Sequence, residues 1–192
     1  MFKGFEQIKE SNSNSEAQLN QEFEKIDIVA LKLAKKYGEY ESLNSFIVYL
    51  ASMEKVFTRS RVYSSDIMTT KDEIIKMEIH LFSEDTGLDE DMLNGIRNDF
   101  SLVYLTISQV YAVAEKLIKK FSDIKGCLEF ITSLRDISII FIEAHENHFT
   151  ISEIQDRIYR SRMRTLSADG NPDPILLERI YIEFKNELGG KF

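Results

Sequence analysis

The chain has 192 residues and a formal net charge of −8, with 43% hydrophobic and 29% charged residues. This length suits one substantial core, and the composition is that of a globular chain and not of a disordered one. The acidic balance sets the summed field against phosphate backbones and anionic membranes, so a basic or neutral protein is the easier partner.

The longest apolar runs, ISIIFI and LVYLTI, fall far short of the ~20 residues of a membrane span. The opening MFKGFEQIKE carries no apolar block of the kind a cleaved leader needs. The single Cys127 can form no internal disulfide, which fits a reducing compartment. A cytoplasmic protein is expected.

Residues 1–15, which include SNSNS, read as a flexible tail ahead of a single helical domain over 16–192. Leu19, Phe23, Ile26, Ala30, Leu33 and Tyr37 recur at spacings of four and three and predict a helix that stops at Gly38. Leu43, Phe46, Leu50, Met53 and Phe57 predict a second helix, so 16–57 should form an antiparallel hairpin. Central helices are expected over 70–147. Thr70 and Glu73 have capping-box spacing and favour a helix from there. Yet Ile75, Met77, Ile79 and Leu81 alternate with polar residues as in a strand, which leaves a small β-hairpin within 60–82 as the alternative.

Phe100, Val103, Ile107, Val110, Ala114, Leu117 and Phe121 mark a helix whose flanks are also apolar, as in a central helix. Cys127 to Ala144 should pack beside it, although its β-branched ISIIFI leaves room for a strand. In the C-terminal segment over 148–192, Thr150 and Glu153 predict a helix start near Ile151. Asp173 and Pro174 predict a cap and first turn, and Gly189 a stop. The fold class is all-α: a compact bundle of six or seven helices.

The last of these segments holds four arginines in ten residues, Arg157, Arg160, Arg162 and Arg164. The phrase TISEIQDRIYRS resembles the opening of a helix-turn-helix unit, a resemblance confined to about a dozen residues. It implies a DNA-binding regulator that uses these four arginines. The sequence departs from that pattern where the motif has a small contact residue (Gln155), a turn glycine (Tyr159) and a buried aliphatic (Arg160). Glu153 with Arg157 and Asp156 with Arg160 are also i,i+4 pairs that neutralise charge within the helix, whereas Arg162 and Arg164 have no acid at i−4. A solvated helix face is the preferred reading, with nucleic-acid contact as the alternative.

No linear signature carries chemistry. His145, Glu146 and His148 lack paired ligand spacing and read as a helix end, with no metal expected. Asp169, Asn171 and Asp173 start like a calcium loop, but Pro174 and Ile180 stand where its glycine and bidentate glutamate belong. Cys127 reads as a small buried thiol, and no phosphate-loop glycine pattern occurs. No catalytic residue and no cofactor are expected.

Two features suggest contact with another protein. Ile28, Val29 and Leu31 lie off the main stripe of the first helix, leaving apolar surface. Glu84, Asp85, Asp89, Glu90 and Asp91 form the densest acidic run, read as a solvated loop or as the seat of a basic partner or of the chain's own arginine stripe. The expected function is a helical interaction module, an adaptor, chaperone-like or inhibitor subunit without catalytic activity, binding through helical apolar surface.

Overall fold

The computed structural model describes the backbone of residues 3–38, 40–61, 67–144, 153–168 and 172–189, with side chains within 15–38, 40–60, 71–143, 155–168 and 172–189. Among the described residues there are seven α-helices and no strand: α1 (Lys3–Tyr37), α2 (Glu41–Arg61), α3 (Ile67–Thr86), α4 (Glu90–Phe121), α5 (Cys127–Ala144), α6 (Glu153–Leu166) and α7 (Pro174–Glu187). The chain is all-α, as expected. None of the described helices is long and apolar enough to cross a membrane. α1 takes in most of the stretch read as a tail, and its side chains are described from Ser15 onwards. The chain divides into two units, Met1–Tyr104 and Leu105–Phe192, and the division falls inside α4.

In the first unit, consecutive helices run antiparallel. Asp27 pairs with Lys55 at 2.5 Å and Asn44 donates to the Gly38 carbonyl at 3.3 Å, which fixes α1 against α2. Lys71 pairs with Glu54 at 2.6 Å, while the Phe46 and Phe82 rings meet at 5.1 Å, so α3 runs back along α2. Arg97 bonds Asp72, and His80 meets Glu90, joining α3 to the first half of α4. Ile26, Val29, Leu33, Phe46, Ile47, Leu50, Ile75, Ile79, Leu93 and Ile96 form the core.

Between α1 and α4 the seam is polar. Lys25 is buried and pairs with Glu22 at 2.6 Å, Tyr104 donates to the same Glu22, and Lys36 and Tyr37 both donate to Asp99, at 2.7 and 2.6 Å. Burial acts to raise the Asp99 carboxyl, but the hydrogen bonds from Lys36 and Tyr37 win and hold it below the usual carboxylate range.

The second unit repeats the antiparallel order with the rest of α4 and α5, α6 and α7. Arg135 of α5 stacks on the Tyr111 ring of α4. Arg162 reaches Glu129 at 2.7 Å across α5 and α6, and Tyr181 of α7 donates to Asp156 of α6 at 2.7 Å. Lys116 and Lys120 of α4 pair with Glu187 and Glu183 of α7, each at 2.5 Å.

Local chemistry sets most boundaries. Asp173 caps α7 by accepting from the Ile175 amide at 3.0 Å, with Pro174 in the first turn. Gly126, at φ +84°, turns α4 into α5, and a methyl added there would meet Pro172 Cδ at 2.5 Å, so only glycine fits. Gly38 follows α1 because a side chain there would strike the Ala34 carbonyl.

The β-hairpin alternative over 60–82 fails for 67–82, which are helical. Residues 62–66 lie outside the described residues. α3 begins three residues before Thr70, so Thr70 is inside the helix and does not cap it.

Candidate interaction surfaces

The strand-like alternation of Ile75, Met77, Ile79 and Leu81 has a helical explanation. Ile75 and Ile79, one turn apart, are 3% and 2% exposed, whereas Met77 and Leu81, also one turn apart, are 55% and 45% exposed. α3 is therefore apolar on two faces, one in the core and one in solvent. Half-buried Ile74 precedes Met77 and Leu81 on the outer stripe at i, i+3 and i+7, and Glu84 continues it at i+10.

The neighbouring α2 contributes to the same side. Val48 and Val56 are 63% and 60% exposed and lie two turns apart, with exposed Ser52 between them. Tyr49, next to Val48, bonds Glu78, next to Met77; burial and this carboxylate push its hydroxyl up to about 12. The solvent sides of α2 and α3, two helices joined by Tyr49 and Glu78, thus carry Val48 and Val56 on the one and Met77 and Leu81 on the other. Scattered exposed apolar residues are ordinary, but a run at helical register on two adjacent helices is the form of a contact surface.

The acidic run is split by the fold. Glu84 and Asp85 occupy the last turn of α3, and Glu90 and Asp91 the first turn of α4. Asp89 caps α4, its Oδ1 accepting from the Asp91 amide at 2.8 Å. Asp89, Glu90 and Asp91 are thereby favoured by the positive end of α4. Glu84 and Asp85 face the negative end of α3, whose last turn holds no basic residue.

The run also has a basic neighbour that linear reading missed. His80 Nδ1 lies 2.6 Å from Glu90 and its Nε2 lies 3.5 Å from Glu84. The hydrogen bond to Glu90, then the charges of Glu84 and Glu90, raise the His80 pKa above its ordinary 6.5. A raised folded-state pKa means that this ion pair stabilises the fold fully below pH 6.5 and is lost as pH rises through the folded value. We expect the His80 ring proton, followed by NMR, to titrate with a midpoint above 6.5 and to return toward 6.5 in Glu90→Gln; identical midpoints would discard the pairing.

The patch expected on α1 is smaller than the sequence suggests. Val29 is fully buried and belongs to the core, Ile28 is half-buried, and Leu31 alone of the three is exposed, at 51%. Val29 is therefore no surface residue.

α6 runs through Tyr159 and Arg160 to Leu166 without a turn, so the break expected of a helix-turn-helix opening is not there. Its arginines have partners beyond their own helix. Arg160 pairs with Asp156 at 2.8 Å and with Glu178 of α7 at 3.4 Å. Arg162, which has no acid at i−4, instead meets Glu129 of α5 at 2.7 Å and the Ser133 hydroxyl at 3.2 Å. Arg157 and Arg164 are exposed, and the Glu153 side chain lies outside the described residues.

Gln155 and Tyr159, two of the three departures from the motif, are buried. Ser138 donates to the Leu134 carbonyl at 2.8 Å, using its only hydroxyl proton. Tyr159 OH must then donate to Ser138 Oγ at 2.8 Å, and it accepts from Gln155 Nε2 at 2.8 Å. This chain of bonds is closed over by the Tyr181 ring, 5.2 Å from that of Tyr159. Burial raises the Tyr159 hydroxyl pKa further, so it stays a neutral donor. The inner face of α6 is a structural lock; its outer face is the arginine stripe.

The remaining candidates offer little chemistry. Cys127 is buried at the start of α5 and burial pushes its thiol up, away from the thiolate that reactivity requires. Asp173 is the α7 cap, while His145, Glu146, His148, Asp169 and Asn171 lie outside the described residues. Among the described residues, no three His, Cys, Asp or Glu side chains are grouped to hold a metal. No protein-family model, curated protein or solved structure matches this chain.

Proposed function

We propose that the chain is a helical protein–protein interaction module, an adaptor, chaperone-like or inhibitor subunit of the cytoplasm with no catalytic activity of its own, and that the outer face of α2 and α3 receives its partner. The observation that carries this reading is the second apolar face of α3: Met77 and Leu81 stay about half exposed, on the side of the helix away from the buried Ile75 and Ile79. Exposing them has a solubility cost that burial under a partner removes.

The test is recovery of partners from native lysate by the immobilised full chain. A stoichiometric protein is expected with the wild type and not with Met77→Glu, Leu81→Glu. A wild-type chain that is monomeric and retains nothing would sink the proposal.

A DNA-binding regulator is the rival reading, and the pairing of Arg160 and Arg162 with Glu178, Asp156 and Glu129 weakens it. A basic surface interleaved with carboxylates gains little from counterion release. We expect no gel shift of duplex DNA at ~100 mM salt, where weak surface attraction is screened. A salt-sensitive complex lost in Arg157→Ala, Arg164→Ala, which removes two of the three exposed arginines of α6, would reverse the order of the two readings.

A further inference from the structure

The ends of the helices show a contrast. Helices α1, α4, α6 and α7 finish with basic side chains, Lys35 and Lys36, Lys119 and Lys120, Arg164, and Lys185. These offset the negative pole of each helix. α5 has no basic side chain in its last turn, and neither has α3, which finishes with Glu84 and Asp85, both exposed. Helix electrostatics therefore disfavours these two acids where they stand, unlike Asp89, Glu90 and Asp91, which the start of α4 favours. Glu84 also continues the outer stripe of Ile74, Met77 and Leu81. Along one line of α3, apolar side chains give way to carboxylates reinforced by the helix pole.

From this juxtaposition we infer that the outer face of α2 and α3 binds a basic amphipathic helix of a partner protein. Its apolar side lies over Val48, Val56, Met77 and Leu81, and its lysines or arginines meet Glu84 and Asp85. The inference rests on the interaction reading above and names the chemistry of the partner. Apolar contact gives the affinity, while the acidic end fixes direction and excludes acidic helices. His80, 3.5 Å from Glu84, tempers the acidic end when protonated.

The full chain is titrated, by fluorescence anisotropy, with two labelled peptides of about five helical turns, one built of Leu and Lys and the other with Glu at every Lys position. The Leu/Lys peptide is expected to bind at least roughly tenfold more tightly than the Leu/Glu peptide. Met77→Glu with Leu81→Glu should weaken it by roughly tenfold or more although the variant gains two negative charges; attraction by net charge alone would strengthen it. Glu84→Lys with Asp85→Lys should weaken the Leu/Lys peptide and strengthen the Leu/Glu peptide. Ile182→Glu, on the exposed side of α7, should change neither, and circular dichroism shows that each variant is folded.

Equal binding of the two peptides, or tighter Leu/Lys binding by Met77→Glu, Leu81→Glu, overturns the inference. So does self-association of the full chain that this variant abolishes, which would make a second copy the occupant. In each of these cases the lysate result decides the interaction reading separately.

Discussion

Tyr159→Ala is expected to destabilise the protein by about 3–5 kcal/mol, the range for emptying a large buried aromatic site. Tyr159 has no exposed surface, stacks against Tyr181 and links Gln155 to Ser138. The hydroxyl can be separated from the ring. Tyr159→Phe keeps the packing but leaves the Ser138 oxygen without its donor and removes the acceptor of Gln155 Nε2, at a cost of about 1–3 kcal/mol. Ser138→Ala removes the other end of the same bond, so the double variant Tyr159→Phe, Ser138→Ala should cost less than the two single changes together. Urea unfolding of the four proteins measures this. Strict additivity, or a Tyr159→Phe protein as stable as the wild type, would show that the buried bonds do not hold α5 and α6 together.

Ile79→Ala should cost about 2–5 kcal/mol and Met77→Ala no more than about 0.5 kcal/mol, although both replace a large apolar residue of the same helix by alanine. Ile79 loses core contacts and leaves a cavity, whereas Met77, more than half exposed, stands at the surface and leaves no enclosed void. Ile75→Ala and Leu81→Ala should repeat the contrast one turn away. The comparison is internal to one helix, so helix propensity, which alanine raises at all four positions, cannot produce it. If Met77→Ala unfolded the protein as readily as Ile79→Ala, the outer face would be part of the core and the proposed docking surface would disappear.

What the sequence revealed depended on whether the signal was local. α5 could be read to its ends because Cys127 and Ala144 bound an unbroken apolar pattern, and the α7 cap is written in Asp173 and Pro174. Thr70 and Glu73 misled because capping-box spacing also occurs inside a helix whose first turn comes earlier. The alternation in α3 misled because two i,i+4 pairs on opposite faces interleave into a period of two. Val29 was misplaced because it stands three residues after Ile26 and four before Leu33, both buried, and so continues their stripe instead of leaving it.

Pairings between helices were the least legible. Arg162 looked unpartnered because its acid, Glu129, lies 33 positions earlier in the chain. His80 and Glu90 are closer, but they meet only because α3 and α4 turn back at Gly87, where φ is +71°. The outer face of α2 and α3 escaped notice because Val48 and Val56 add to an apolar count that was already explained by the core stripe.

In the second unit, α7 returns to α4, with Lys116–Glu187 and Lys120–Glu183 spanning 71 and 63 positions. α7 also packs against α5, so its junctions with α4 and α5 are long-range while those between consecutive helices are local. Local junctions form quickly, and the long-range ones must wait for a long loop to close. Ile180, Tyr181 and Phe184 stay exposed until that moment. α7 is thus the closing piece of this unit: a ribosome still holding it back, or a nick at 167–173, leaves an open bundle whose bare edge invites other chains before its own last helix arrives.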